Sequence, residues 1–237
     1  MLRLHGLRHE SFEKEGEIAV WAKERGHTLT HTDLWNGENP PALDTFDFLI
    51  VMGGPMNIYE EDKFPWLAVE KRFLKESIAA GKRVLGVCLG AQLLADVLGG
   101  KVTKGAHREI GWHTVSAGPD AARSRVFAGL PKAYEAFHWH GDTFAIPPKA
   151  LWTARSEACA HQAFSACEDR VVGLQFHLET NAESLAALAA GCADEVTVDP
   201  VRHPYVQSID AMTAQPERLG ELRTLLNHIL DNMAALG

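Results

Sequence analysis

RVLGVCLGAQLLADVLGG, residues 83–100, sets one cysteine between two glycines, after a short apolar run and ahead of a helix-like stretch. The order strand, Gly-x-Cys-x-Gly, helix is the form of a nucleophile elbow. That turn is so crowded that side chains at the flanking positions would strike the neighbouring strand and helix. It lifts its central residue to the C-terminal edge of a sheet, where the positive end of the following helix favours thiolate over thiol. The elbow therefore predicts an α/β domain with Cys88 as nucleophile. The backbone N–H of Leu89, the next residue, is a first oxyanion donor.

Working outward, residues 47–52 (DFLIVM) form a continuous apolar run, as expected of a strand buried on both faces. The run ends in Gly53-Gly54-Pro55, a turn able to present a second oxyanion donor, the N–H of Gly54, with no side chain in the way. Residues 2–7 read as a first strand, 16–25 as a helix stopping at Gly26, 65–80 as a helix opened by Pro65, and 91–98 as the helix after the elbow. Beyond Gly100 the rhythm shifts to strand-like pieces (KVTKG, WHTVSAG, AYEAFHWH, LWTARS, VVGLQFH), followed by a helix over 182–190. The pattern predicts a mostly parallel central sheet, antiparallel at one edge and flanked by helices.

A cysteine nucleophile needs a base and a group to orient it. Residues 171–179 (VVGLQFHLE) read as a buried strand ending in His177, with Glu179 two residues on. In extended chain, i and i+2 point the same way, so the carboxylate can hold one ring nitrogen while the other faces the thiol.

On these residues the chain resembles the class I glutamine amidotransferases. GVCLGAQ matches the family's nucleophile motif, VMGGP its oxyanion loop, and GLQFHLE its His-x-Glu motif; WHGD, residues 139–142, is similar to the SHGD segment of the GMP synthetase glutaminase subgroup. The resemblance covers residues 1 to about 193. It implies a flavodoxin-like three-layer sandwich and hydrolysis of the glutamine side-chain amide through a γ-glutamyl thioester. Cys88 would attack, His177 would shuttle protons, Glu179 would orient the imidazole, and Gly54 with Leu89 would hold the oxyanion. Gly53, Gln92, Trp139 and His140 would contact the substrate. No cofactor is implied. Two departures stand out: Leu178 where the family has proline, and Trp139 where the GMP synthetase subgroup has serine. The absence of a GxxxxGK[ST] phosphate loop likens the chain to stand-alone members, some of which are γ-glutamyl peptidases acting on glutathione-like compounds.

Other function classes fit less well. A formal charge of −8 argues against a nucleic-acid or anionic-membrane surface, and no apolar run approaches the roughly 18 to 20 residues of a spanning helix. A cytoplasmic location is the expectation, with Cys88, Cys159, Cys167 and Cys192 as free thiols. The intracellular protease and deglycase superfamily shares a cysteine elbow but lacks a late His-x-Glu pair. His138-Trp139-His140 puts two imidazoles on one side of a strand with no third ligand placed by spacing, so no metal is expected. Glu109-Ile110-Gly111-Trp112 reads as a packed strand edge. Residues 1–195 are expected to form the catalytic domain. Residues 196–237 form an extension whose helix after Pro216 carries Leu219, Leu222, Leu225, Leu226, Ile229, Leu230 and Met233 on one face. That face is expected to cover its own domain, with a second copy, a separate synthase or a purely binding role as the alternatives.

Overall fold

A computed structural model describes residues 1–237. In chain order the elements are β1 (Arg3–Arg8), α1 (Glu17–Glu24), β2 (Thr28–Asp33), β3 (Phe48–Val51), α2 (Trp66–Ala79), β4 (Arg83–Val87) and α3 (Leu89–Val97). There follow β5 (Val102–Ala117), β6 (Ala133–Phe144), β7 (Leu151–Arg155), β8 (Ala163–Ala166), β9 (Val171–Leu174), α4 (Ala182–Gly191), α5 (Ile209–Thr213) and α6 (Arg218–Ala234). The nine strands form one sheet in the order β2-β1-β3-β4-β9-β8-β7-β5-β6. The five strands from β2 to β9 are parallel neighbours, and every pairing beyond β9 is antiparallel.

The three layers follow from period-2 side-chain alternation. Along the apolar run, Phe48, Ile50 and Met52 join one core, whereas Leu49 and Val51 join the other. Residues of α1, α4 and α6 fill the first core, and residues of α2 and α3 the second. The antiparallel half is larger than the sequence pattern suggests. KVTKG and WHTVSAG merge into the 16-residue β5, and AYEAFHWH extends into the 12-residue β6, the two paired across a register shift between Lys104 and Glu109.

Two features of this topology position the site. Strands β4 and β9 are adjacent and parallel, with Val87 opposite Leu174. Whatever follows either strand therefore emerges at the same sheet edge: Cys88 from one, Gln175 to His177 from the other. Strand β9 also ends three residues short of His177, which is held instead by a bridge to Phe137 of β6, its N–H donating to the Phe137 carbonyl at 2.8 Å.

The C-terminal segment is sewn onto the same body. The Gln207 side chain accepts from Trp112 N–H (3.0 Å) and donates to the Trp112 carbonyl (2.7 Å), imitating a strand neighbour of β5. Gly111, at φ 114°, leaves the space this needs, since a Cβ there would stand 2.5 Å from Gln207 Oε1. Trp112 is 3 % exposed and donates its indole N–H to the Met212 carbonyl, so the 109–112 segment is a packed edge. Helix α6 buries Leu222, Leu226, Ile229, Leu230 and Met233 in the main core, and Asp231 accepts from both Trp21 Nε1 (2.8 Å) and Arg25. No helix is long and apolar enough to cross a membrane. Ile229→Ala is expected to destabilise the whole domain by about 2–5 kcal/mol in urea unfolding. A loss below about 0.5 kcal/mol, the size of a surface effect, would place α6 outside the core.

Candidate active site

Cys88 sits at the elbow between β4 and α3 with φ 51° and ψ −106°, a strained backbone for a non-glycine residue. The glycines around it are sterically required. A Cβ on Gly86 would lie 2.5 Å from the Gly90 carbonyl oxygen, and one on Gly90 would lie 2.1 Å from that of Val51. Leu89 opens α3, so its N–H has no acceptor within the helix. The thiol donates to the Trp139 carbonyl (3.6 Å) and accepts from Gln175 Nε2 (3.7 Å), while Gln175 Oε1 accepts from Gln92 Nε2 (3.2 Å). Gln175 thus ties the expected substrate residue Gln92 to the sulfur.

His177 and Glu179, both buried, meet through Nδ1 and Oε1 at 2.6 Å. The other ring nitrogen, Nε2, is buried without a hydrogen-bond partner. Burial opposes charge on this imidazole, but Glu179 and the neighbouring Cys88 outweigh it and hold its pKa well above the usual histidine value. Glu179 thus holds one ring nitrogen, and Cys88 lies near enough to the imidazole to raise its pKa. Two other cysteines are poor rivals. Burial pushes the Cys192 thiol up to about 12 and also raises Cys159.

Both expected oxyanion positions, Gly54 and Leu89, line the cavity that holds Cys88, together with Gln92, Trp139 and His140. Its volume is about 180 Å³, below the roughly 300–1,000 Å³ of drug-sized sites, which suits an amino-acid-sized group. Gly53, expected among the substrate contacts, does not line it. Its carbonyl is bonded instead to His9 Nδ1 at 2.8 Å, and His9 Nε2 meets Glu70 Oε1 at 2.8 Å, with both side chains fully buried. A trans peptide points its C=O and N–H in opposite directions, so fixing the Gly53 oxygen on His9 turns the Gly54 N–H the other way. That N–H makes no backbone hydrogen bond. Trp139 meets the thiol through its carbonyl rather than its indole, whose N–H donates to Glu195 at 3.3 Å. Glu195 also pairs with Arg108 at 2.9 Å, closing the cavity with the segment after α4.

His9, Glu13 and Glu70, which back the oxyanion loop or line the cavity, have no role in the sequence reading, and Gln175 enters it only as part of the His-x-Glu motif.

The third partner for His138 and His140 is Glu109; their ligand-type atoms lie within 4.8 Å of one another. The carboxylate is already taken, however. It accepts from Ser156 Oγ (2.6 Å) and Gln162 Nε2 (2.6 Å) and faces His140 Nε2 at 3.1 Å. Burial would raise its pKa, but these contacts outweigh it and bring the group to about 2. His140 therefore reaches the cavity wall with its Nε2 beside the buried Glu109 carboxylate. Burial lowers the His138 pKa well below the usual value, which keeps that ring neutral behind it.

Residues 18–187 match the family model for glutamine amidotransferase class-I. The glutamine amidotransferase-like protein YfeJ of Salmonella typhimurium is 30% identical over 217 residues, 90% of each chain. A glutamine-hydrolysing GMP synthase of Thermomicrobium roseum is 33% identical over 189 residues, 75% of this chain and 32% of that longer protein. Among solved structures, a glutamine amidotransferase from Thermotoga maritima superposes with a TM-score of 0.87 at 31% identity, covering 99% of both chains. One from Methylobacillus flagellatus gives 0.89 at 28%, covering 98% of this chain and 94% of that one. The elbow, the cavity and these likenesses lead to one conclusion: the chain belongs to the class I glutamine amidotransferase family and is an enzyme acting on glutamine-type amides.

Proposed function

We propose that the protein hydrolyses the side-chain amide of glutamine, or the same bond in another γ-glutamyl compound, through a covalent thioester on Cys88. The Cys88 sulfur attacks the δ-carbonyl carbon and the oxyanion forms against the N–H groups of Gly54 and Leu89. His177 takes the thiol proton as the sulfur attacks and gives it to the departing nitrogen, which leaves as ammonia or an amine. Water, deprotonated by His177, then cleaves the γ-glutamyl thioester, releasing glutamate and restoring the thiol. Glu179 holds the ring in register and balances its charge throughout. No step calls for a cofactor. The observation that carries this reading is the juxtaposition of the buried His177–Glu179 pair with the thiol at the head of α3.

The test is a substrate panel. Purified protein is given glutamine and γ-glutamyl dipeptides, with glutamate, ammonia and amine release measured and hydroxylamine added to trap the thioester as γ-glutamyl hydroxamate. Hydroxamate formation that disappears in Cys88→Ala is the expected result; turnover that survives the substitution would overturn the mechanism. Preference for dipeptides over glutamine would assign the γ-glutamyl peptidase activity. Faster glutamine turnover on adding cell extract would reveal a separate synthase that takes up the ammonia.

A further inference from the structure

Three imidazoles and one guanidinium around the cavity each face a carboxylate, and two further carboxylates on its wall, Glu13 and Asp142, face none. His177 faces Glu179 at 2.6 Å, His9 faces Glu70 at 2.8 Å, His140 faces Glu109 at 3.1 Å, and Arg108 faces Glu195 at 2.9 Å. Glu13, in the loop between β1 and α1, lines the same cavity as Cys88 and also the recess behind it beside His177 and Glu179. Its carboxylate enters no hydrogen bond or ion pair within the protein. Oε2 lies against the oxyanion loop, 2.5 Å from where a Gly53 Cβ would stand, so glycine at 53 is what admits it. Burial raises its pKa, and the Glu179 and Glu10 charges add to this; the His177 and His9 charges, each already held by another carboxylate, oppose it and are outweighed. A partly buried carboxylate whose neighbouring cations are all engaged lacks a counter-charge, and a ligand can supply one.

We propose that Glu13 receives the α-ammonium group of the substrate, so that the enzyme selects γ-glutamyl compounds whose amino-acid head is unblocked. The assignment rests on the amide-hydrolase reading above and adds to it a substrate class and the residue that enforces it. An ammonium offers three donors to a carboxylate that has none, and the pairing neutralises the surplus charge when the site fills.

The deciding comparison uses glutamine and glutaramate, which is glutamine without its α-amino group. Wild-type protein is expected to prefer glutamine in kcat/KM. Glu13→Gln, a change of one atom, is expected to lower the glutamine value by about 10- to 100-fold, mainly through KM, the range of a charge-assisted hydrogen bond. The glutaramate value should move less than about 3-fold, and Glu13→Asp, which keeps the charge, should recover part of the loss. Equal losses on both amides would make Glu13 a group acting on the His177 pair instead. No loss on either would leave it without a role, and both results overturn the assignment. If wild-type protein cleaves neither amide, the hydrolase reading fails on its own. Calorimetric binding of glutamine and glutaramate to Cys88→Ala, with and without Glu13→Gln, then decides. Weakening confined to glutamine supports the ammonium site; equal affinities, or no binding of either, reject it.

Discussion

Replacing Cys88 with alanine is expected to lower kcat for glutamine hydrolysis by at least about 10⁴-fold, because no other group at the elbow can form the thioester. His177→Ala should lose as much. The double variant should lose no more than either alone, since sulfur and imidazole act as one unit. Ammonia release at saturating glutamine is the measurement, and a single variant keeping more than about one part in a hundred would remove the pair from the chemistry. Glu179→Gln separates charge from orientation. Burial opposes the His177 imidazolium and Glu179 outweighs it; with the anion gone, burial prevails and the ring's pKa falls. The folded pKa of His177 lies above its unfolded value of about 6.5, so the pair's contribution to stability is fully present below that pH. It is lost as pH rises through the folded value. In urea unfolding, wild type should therefore exceed Glu179→Gln most between about pH 5 and 6.5 and the gap should close toward alkaline pH. A gap that widens with pH would reverse the assignment.

The parts of the site that were legible in the sequence are those whose demands are local. Gly86 stands two residues before Cys88 because a Cβ there would strike Gly90 and Leu94 of the helix that follows, whereas Gly90 clears the Val51 carbonyl of neighbouring β3. His177 and Glu179 are two residues apart and bond directly, so their partnership is written in the spacing even though β9 ends before them. What was not legible depends on distant partners. His9 and Glu70 are 61 positions apart, and nothing in HESFEKEGE marks one histidine as buried. The length of β5 and β6 was hidden by the register shift that interrupts their alternation. Likewise Cys167, Glu168 and Asp169 all take positive φ, which their types do not announce. The turn is held because the buried Asp169 carboxylate accepts from Ser124 Oγ, Ser165 Oγ and the Arg125 N–H, groups from two other parts of the chain.

The second large effect is expected at His9, which does not line the cavity that holds the thiol. The Gly53–Gly54 peptide is pinned from behind by His9, which is anchored by Glu70 and stacked on Trp66 at a centroid distance of 5.4 Å. Because a glycine pair has wide backbone freedom, the loop has little reason of its own to keep this peptide in one orientation. His9→Ala releases the Gly53 oxygen, so the Gly54 N–H no longer stands ready where the oxyanion forms. Outright removal of such a donor costs about 100- to 1,000-fold in kcat, and His9→Ala is expected to approach the lower figure with KM nearly unchanged. Glu70→Gln should fall in the same direction by less, since the imidazole keeps its bond to Gly53. Alkylation of Cys88 by iodoacetamide distinguishes this from general damage. That displacement develops no oxyanion, so it needs the activated sulfur but not the loop. Unchanged alkylation with slowed hydrolysis means that the peptide has lost its aim. Equal slowing of both would mean that the buried pair merely supports the fold around the thiol.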